Sequence, residues 1–208
     1  MNADHLAPVA IDALAEIGNI GAGTAATALA QMTGVRVDMG LPRVSLVPVE
    51  DVPDRVGGGD TVVAAILLDV TGDAPGRMVF MMPAGAARTV VDMLMGLPST
   101  HSGDEVPEFD EIALSALQEV GNVLTGAYLG ALSTLTGLRL EPSPPALGID
   151  MAYALLATAI VDVAERSPDA LLIETDFSDD DDPQVGTLMF IPTPEGLDAV
   201  LGRLGVAA

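Results

Sequence analysis

Glu16 and Asn19 stand three residues apart, and so do Glu119 and Asn122. The runs that hold them match. Asp12-Ala-Leu-Ala-Glu16-Ile-Gly18-Asn19-Ile20 returns 103 residues later as Ser115-Ala-Leu-Gln-Glu119-Val-Gly121-Asn122-Val123. The same offset carries Thr33-Gly34-Val35-Arg36-Val37 onto Thr136-Gly137-Leu138-Arg139-Leu140. A match held in register over this distance implies two copies of one structural unit. On a helix, i and i+3 share a face, and at about 100° per residue Asp12, Glu16 and Asn19 span roughly 60° of arc. Ser115, Glu119 and Asn122 do the same.

The chemistry open to such a pair is narrow. An Asn amide both donates and accepts, so it can hold a water molecule in one orientation, but it is too weak a base to deprotonate one. A site of this kind suits a substrate that is already activated and lacks only a positioned nucleophile. An acyl phosphate fits, because phosphoryl transfer rests mostly on positioning and charge stabilisation. The Glu repels phosphate and would instead pair with a cation on the protein carrying it. Asn is a mediocre helix former, and here it sits beside a Gly in both copies. Gly18, Gly21 and Gly23 inside the first helix suggest close backbone approach by a neighbouring helix or a partner, and Gly18 and Gly121 are expected to clear room beside the Asn for something bulky.

The elements that must position these residues follow from periodicity and punctuation. Residues 9–33 keep helical spacing of apolar side chains, and Gly34 supplies a stop. Strand-like runs follow at 35–49, broken by Pro42 and Pro48, at 61–70 and at 76–82. Gly57-Gly58-Gly59-Asp60 reads as a turn. Pro83 opens a helix to about Met95, and 97–108 is a connector. Asp110 is a plausible N-cap for a second long helix ending at Thr136. Residues 149–165 read as an extra helix with no counterpart in the first copy. Strands at 171–175 and 184–191 and a helix from Pro194 complete the chain. The expectation is one α+β domain over 1–208, built from two repeats at about 9–96 and 110–205 about a pseudo-two-fold axis. It should hold about six mostly antiparallel strands, with the two long helices side by side on one face.

Composition excludes much else. The 208 residues contain no Cys, so disulfides and thiolate metal sites are absent. The 8 basic residues are all Arg. Without Lys there is no phosphate-loop lysine, kinase lysine or Schiff-base nucleophile. His5 and His101 fall in loop-like sequence without a motif, and the acidic run 179–182 lacks the spacing of a Ca²⁺ loop. A net charge of −22 makes nucleic acid a poor partner. The start of the chain carries an acid rather than a basic targeting region, and the apolar stretch 151–161 is too short to span a bilayer. A cytoplasmic protein without a membrane partner is the expectation. Acid excess without Lys is consistent with a salt-adapted interior, where charge repulsion is screened, or with GC-rich genomic composition.

The duplicated Asp/Ser-x-x-x-Glu-x-x-Asn pattern resembles the CheC phosphatases of chemotaxis, in the CheC/CheX/FliY group. The resemblance extends over Glu16 to Ala28, Val70-Thr71-Gly72-Asp73, Glu119 to Asn122, and Pro144-Pro145 ahead of Ile149-Asp150-Met151. It implies a phosphatase for the phospho-aspartate of a CheY-type receiver. Asn19 and Asn122 would orient the attacking water, and Glu16 and Glu119 would pair with a receiver lysine. Asp12 and Ser115 fill the first motif position with no role assigned. The protein would need no cofactor of its own, the Mg²⁺ coming with the receiver. Some members of the group bind the deamidase CheD through the segment here occupied by Asp150 and Met151; a plain N-cap role for Asp150 is the alternative. Rival functions are a non-catalytic adaptor for CheY or CheD, a flagellar-motor or archaellar-switch component, and, more remotely, a metal-dependent hydrolase.

Overall fold

The computed structural model describes residues 6–56, 61–98, 106–178 and 185–206. His5, His101, the expected turn Gly57-Gly58-Gly59-Asp60 and the acidic run 179–182 lie outside them. The first repeat runs α1 (Pro8–Thr33), β1 (Asp38–Met39), β2 (Arg43–Pro48), a 3-10 turn (Val49–Asp51), α2 (Val52–Val56), β3 (Val62–Gly72), β4 (Gly76–Pro83) and α3 (Ala84–Leu94). The second runs α4 (Glu111–Thr136), β5 (Leu140–Pro142), β6 (Ala146–Met151), α5 (Ala152–Ala159), α6 (Val161–Ala164), β7 (Asp169–Ser178), β8 (Gly186–Pro192) and α7 (Pro194–Arg203).

Among the described residues all strands join one antiparallel sheet of eight, in the order β1, β7, β8, β4, β3, β5, with β2 also on β7 and β6 also on β3. The two central strands each open with a glycine, Gly76 and Gly186, and their fourth residues, Val79 and Met189, face each other. The pseudo-two-fold axis therefore passes between Val79 and Met189, normal to the sheet. It also interlocks the repeats: β2 of the first pairs with β7 of the second, and β6 of the second pairs with β3 of the first.

Alternation along the strands splits the apolar side chains into two cores. Ile66, Leu68, Met78, Phe80, Ile173 and Phe190 face α1, α4, α3 and α7. Val63, Ala65, Val79, Met81, Leu172 and Met189 face α5 and α6. The expected α+β class, the duplication and the paired long helices on one face all appear. The strand number exceeds six because the proline-broken segments yield short extra strands, β1 and β5.

The segment 149–165 is corrected. Residues 149–151 complete β6, where Asp150 lies opposite Val63, and the helix that follows breaks at Ile160 into α5 and α6. Nor does it lack a counterpart, since the turn and α2 over 49–56 sit where the repeat offset would place α5. The pairing of β6 with β3 gives its backbone groups partners that a helix would otherwise have supplied.

Candidate active site

The motif helices are delimited by their caps. Pro8 takes the first turn of α1, and Gly34 closes it at φ 75°, a left-handed geometry that favours Gly. Asp110 caps α4 by accepting from the Ala113 amide at 2.8 Å, and Gly137 closes it at φ 68°. Both helices bury a stripe of small and aliphatic residues, Leu14, Ile17, Ala22, Ala25 and Leu29 in α1 and Leu117, Val120, Leu124 and Leu132 in α4. The opposite face is left to solvent, and it holds the motif. Asp12, Glu16 and Asn19 are exposed, as are Ser115, Glu119 and Asn122.

Among the described residues the side chains of Glu16, Asn19, Glu119, Asn122 and Asp12 have no hydrogen-bond or ion-pair partner. The Ser115 hydroxyl instead donates to the Glu111 carbonyl at 2.8 Å, so the two first motif positions are not equivalent. An acid and an amide left unsatisfied on a rigid helix face are free to meet a cation and a water on an incoming partner. The axis normal to the sheet sets α1 and α4 antiparallel on one face, with Gly21 of α1 against the Tyr128 ring of α4. The two Glu–Asn pairs are thereby related by the same axis.

The glycines beside the Asn residues do something other than clear room for a partner. Gly18 and Gly121 are buried on the sheet side. A Cβ on Gly18 would stand 2.8 Å from Ile173 Cγ2 and 3.2 Å from Pro42 Cβ, and one on Gly121 would run into the Ile66 side chain. They let the helices lie close on the strands, which fixes the height of the Asn face above the sheet. A helical wheel could have shown this, since Gly18 lies about 100° from Asn19 and in line with Leu14 and Ala25. The close seat of Pro42 under Gly18 was also missed; its signal is that Pro145 stands at the same offset in the second copy.

Asp150 and Met151 are not brought to the Glu–Asn face. They end edge strand β6, exposed, ahead of α5 on the opposite side of the sheet. The Asp150 carboxylate accepts from the Met151 amide at 2.7 Å, while the N-cap position of α5 falls to Met151 itself, so Asp150 is not the cap. Among the described residues no group of three or more Asp, Glu or His side chains is placed to hold a metal ion, and no helix is long and apolar enough to cross a membrane.

Comparison with known proteins agrees with this geometry. The model of the CheC-like family matches residues 9–46 and 112–149, two segments 103 residues apart at both ends. The CheY-P phosphatase CheC of Bacillus subtilis is 34% identical over 199 residues, 95% of this chain and 94% of that protein. The flagellar motor switch phosphatase FliY of the same organism is 30% identical over 142 residues, 68% of this chain but 36% of that protein. The crystal structure of Thermotoga maritima FliY shares the fold, with a TM-score of 0.78 and 24% identity over 96% of this chain and 98% of that one.

Proposed function

The chain belongs to the CheC-like family, and on that premise we propose that it is a phosphatase for the phospho-aspartate of a CheY-type receiver, with two sites. One observation carries the reading: a Glu and an Asn, exposed and without intramolecular partners, recur at equivalent positions of two axis-related helices. In each site the Asn amide holds a water against the phosphorus. The water oxygen forms the new P–O bond, the acyl-phosphate P–O bond breaks, and the receiver carboxylate leaves with inorganic phosphate as product. The Asn removes no proton; it supplies orientation, the larger part of what an activated phosphoryl group requires. Glu16 and Glu119 pair with a receiver cation and set the approach.

The Mg²⁺ belongs to the receiver in this reading. Each pair offers one carboxylate and one amide, whereas Mg²⁺ takes an octahedron of oxygens. Asp150 and Met151 serve as a docking contact for CheD, supported by their exposure at the end of edge strand β6, immediately ahead of α5. The acidic, Lys-free surface is an adaptation to a salt-rich interior.

The test is phosphate release from a phosphorylated CheY-type receiver with and without the protein. Acceleration is expected. Tight binding of the phosphorylated receiver without acceleration would overturn the reading in favour of an adaptor.

A further inference from the structure

The repeat offset reaches one position further along the motif face. Val9 and Ile112 occupy it, and both are exposed, at 59% and 63%. Single exposed aliphatics are ordinary. These differ in being repeated. Leu41, at 86% the most exposed large apolar side chain among the described residues, corresponds to Pro144 in the second copy, and exposed Tyr153 corresponds to Glu50 in the first. Val9 and Ile112 are also aligned with the motif. Seven residues before the Glu, each lies within about 20° of it around the helix and about 10.5 Å away along it. Each exposed stripe thus reads aliphatic, Asp or Ser, Glu, Asn.

We infer that Val9 and Ile112 are apolar anchors for the same receiver that the Glu–Asn pairs engage, extending each docking surface two helical turns toward the helix N-terminus. The inference rests on the phosphatase reading above. The occupant follows from continuity and charge. The stripe runs without a break into Glu16 and Asn19, so a protein seated on those residues covers Val9. A second copy of this chain would set Asp12 and Glu16 against acids of its own, under a net charge of −22. At two turns from the Glu, and further from the Asn, the aliphatics add to affinity and not to the chemical step.

The experiment replaces both, V9S with I112S, in the full chain and follows phosphate release against receiver concentration. KM is expected to rise roughly tenfold with kcat within about twofold. The V9L with I112L pair should keep KM near the unsubstituted value, and circular dichroism should show both variants folded. An unchanged KM in the serine variant, a fall in kcat alone, or a change confined to self-association would each overturn the inference and leave the phosphatase reading standing. Failure of the unsubstituted protein to release phosphate would overturn both.

Discussion

Gly121 of the second repeat lies on Ile66 of the first, and Gly18 of the first lies on Ile173 of the second. Each motif helix is therefore seated on a strand from the other copy. The strand under each motif glycine thus comes from the other repeat, with Pro42 of the first repeat completing the seat of Gly18. The glycine is the price of that close contact, because an interior Gly costs a helix about 1 kcal/mol against Ala.

A first prediction separates seat from helix propensity. Gly121→Ala should destabilise by about 1–3 kcal/mol despite the better helix former, since the new methyl meets Ile66. Gly126→Ala, five residues on, meets nothing within 4 Å and should stabilise by up to about 1 kcal/mol. Urea unfolding of both variants checks this; a Gly121→Ala protein as stable as Gly126→Ala would show that the helix can lift freely off the sheet.

Two axis-related sites predict a particular pattern of loss. Asn19→Ala and Asn122→Ala should each leave the other site working and lower phosphatase activity only in part. Together they should lower it by about a hundredfold or more, the usual scale for removing a positioned hydrogen-bonding group. Thermal midpoints should not fall, because neither amide has a partner in the fold to lose and Ala is the better helix former. Full activity in the folded double variant would remove Asn from the mechanism.

The carboxylates should act on a different parameter. Glu16→Gln with Glu119→Gln keeps shape and removes charge, so KM should rise roughly tenfold with little loss of kcat. The defect should shrink as salt screens the pairing in the unsubstituted protein. A large fall in kcat at unchanged KM would assign Glu to the chemical step.

Much of this was legible in the sequence, for physical reasons. The helices α1 and α4 announce themselves through periodicity, an Asp110 cap and glycine stops. The Glu–Asn stripe follows from helical geometry alone. What stayed hidden was long-range. Nothing local tells that β2 pairs with β7, or that 149–151 finds a strand partner in 62–64. The apolar run through Ala152–Ala159 then drew the expected helix backward over β6. Gly18 and Gly121 face the sheet, about 100° around the helix from the Asn residues they adjoin, so adjacency to Asn in sequence does not reveal what the glycines contact.

The sheet carries a pH-sensitive contact between the repeats. Arg43 of β2 donates to Asp176 of β7 at 2.7 Å, and Thr187 donates to the other carboxylate oxygen at 2.7 Å. Burial opposes ionisation of Asp176, but those donors together outweigh it and hold the carboxyl below its ordinary value. A lowered folded-state pKa means the contribution is present above the unfolded value, near 4, and is lost as pH falls through the folded one. Asp176→Asn should therefore lower the thermal midpoint at neutral pH and flatten its decline below about pH 4. An identical acid limb in both proteins would assign acid sensitivity to other carboxylates.

Salt should act in the opposite sense to its effect on most surface ion pairs. With 30 acids against 8 Arg, far more like-charge than unlike-charge pairs exist on this surface, and the formal charge is −22. Screening weakens both kinds of pair, so the majority decides the sign. Contacts such as Arg36–Asp38, with both side chains largely exposed, contribute little and lose little. The screening length falls to about 3 Å at 1 M, shorter than most separations between surface carboxylates. The thermal midpoint is therefore expected to rise through a KCl series from dilute buffer to molar concentration. Arg77 is itself mostly buried and holds Asp69 and Asp162 at 2.6 and 2.7 Å, but both carboxylates are more than half exposed, so these pairs weaken with salt and form part of the opposing loss. Circular dichroism at each salt concentration measures the balance. A midpoint that stays flat or falls would mean that the acids are spaced widely enough to be tolerated without salt, and genomic composition would then account for them better than adaptation.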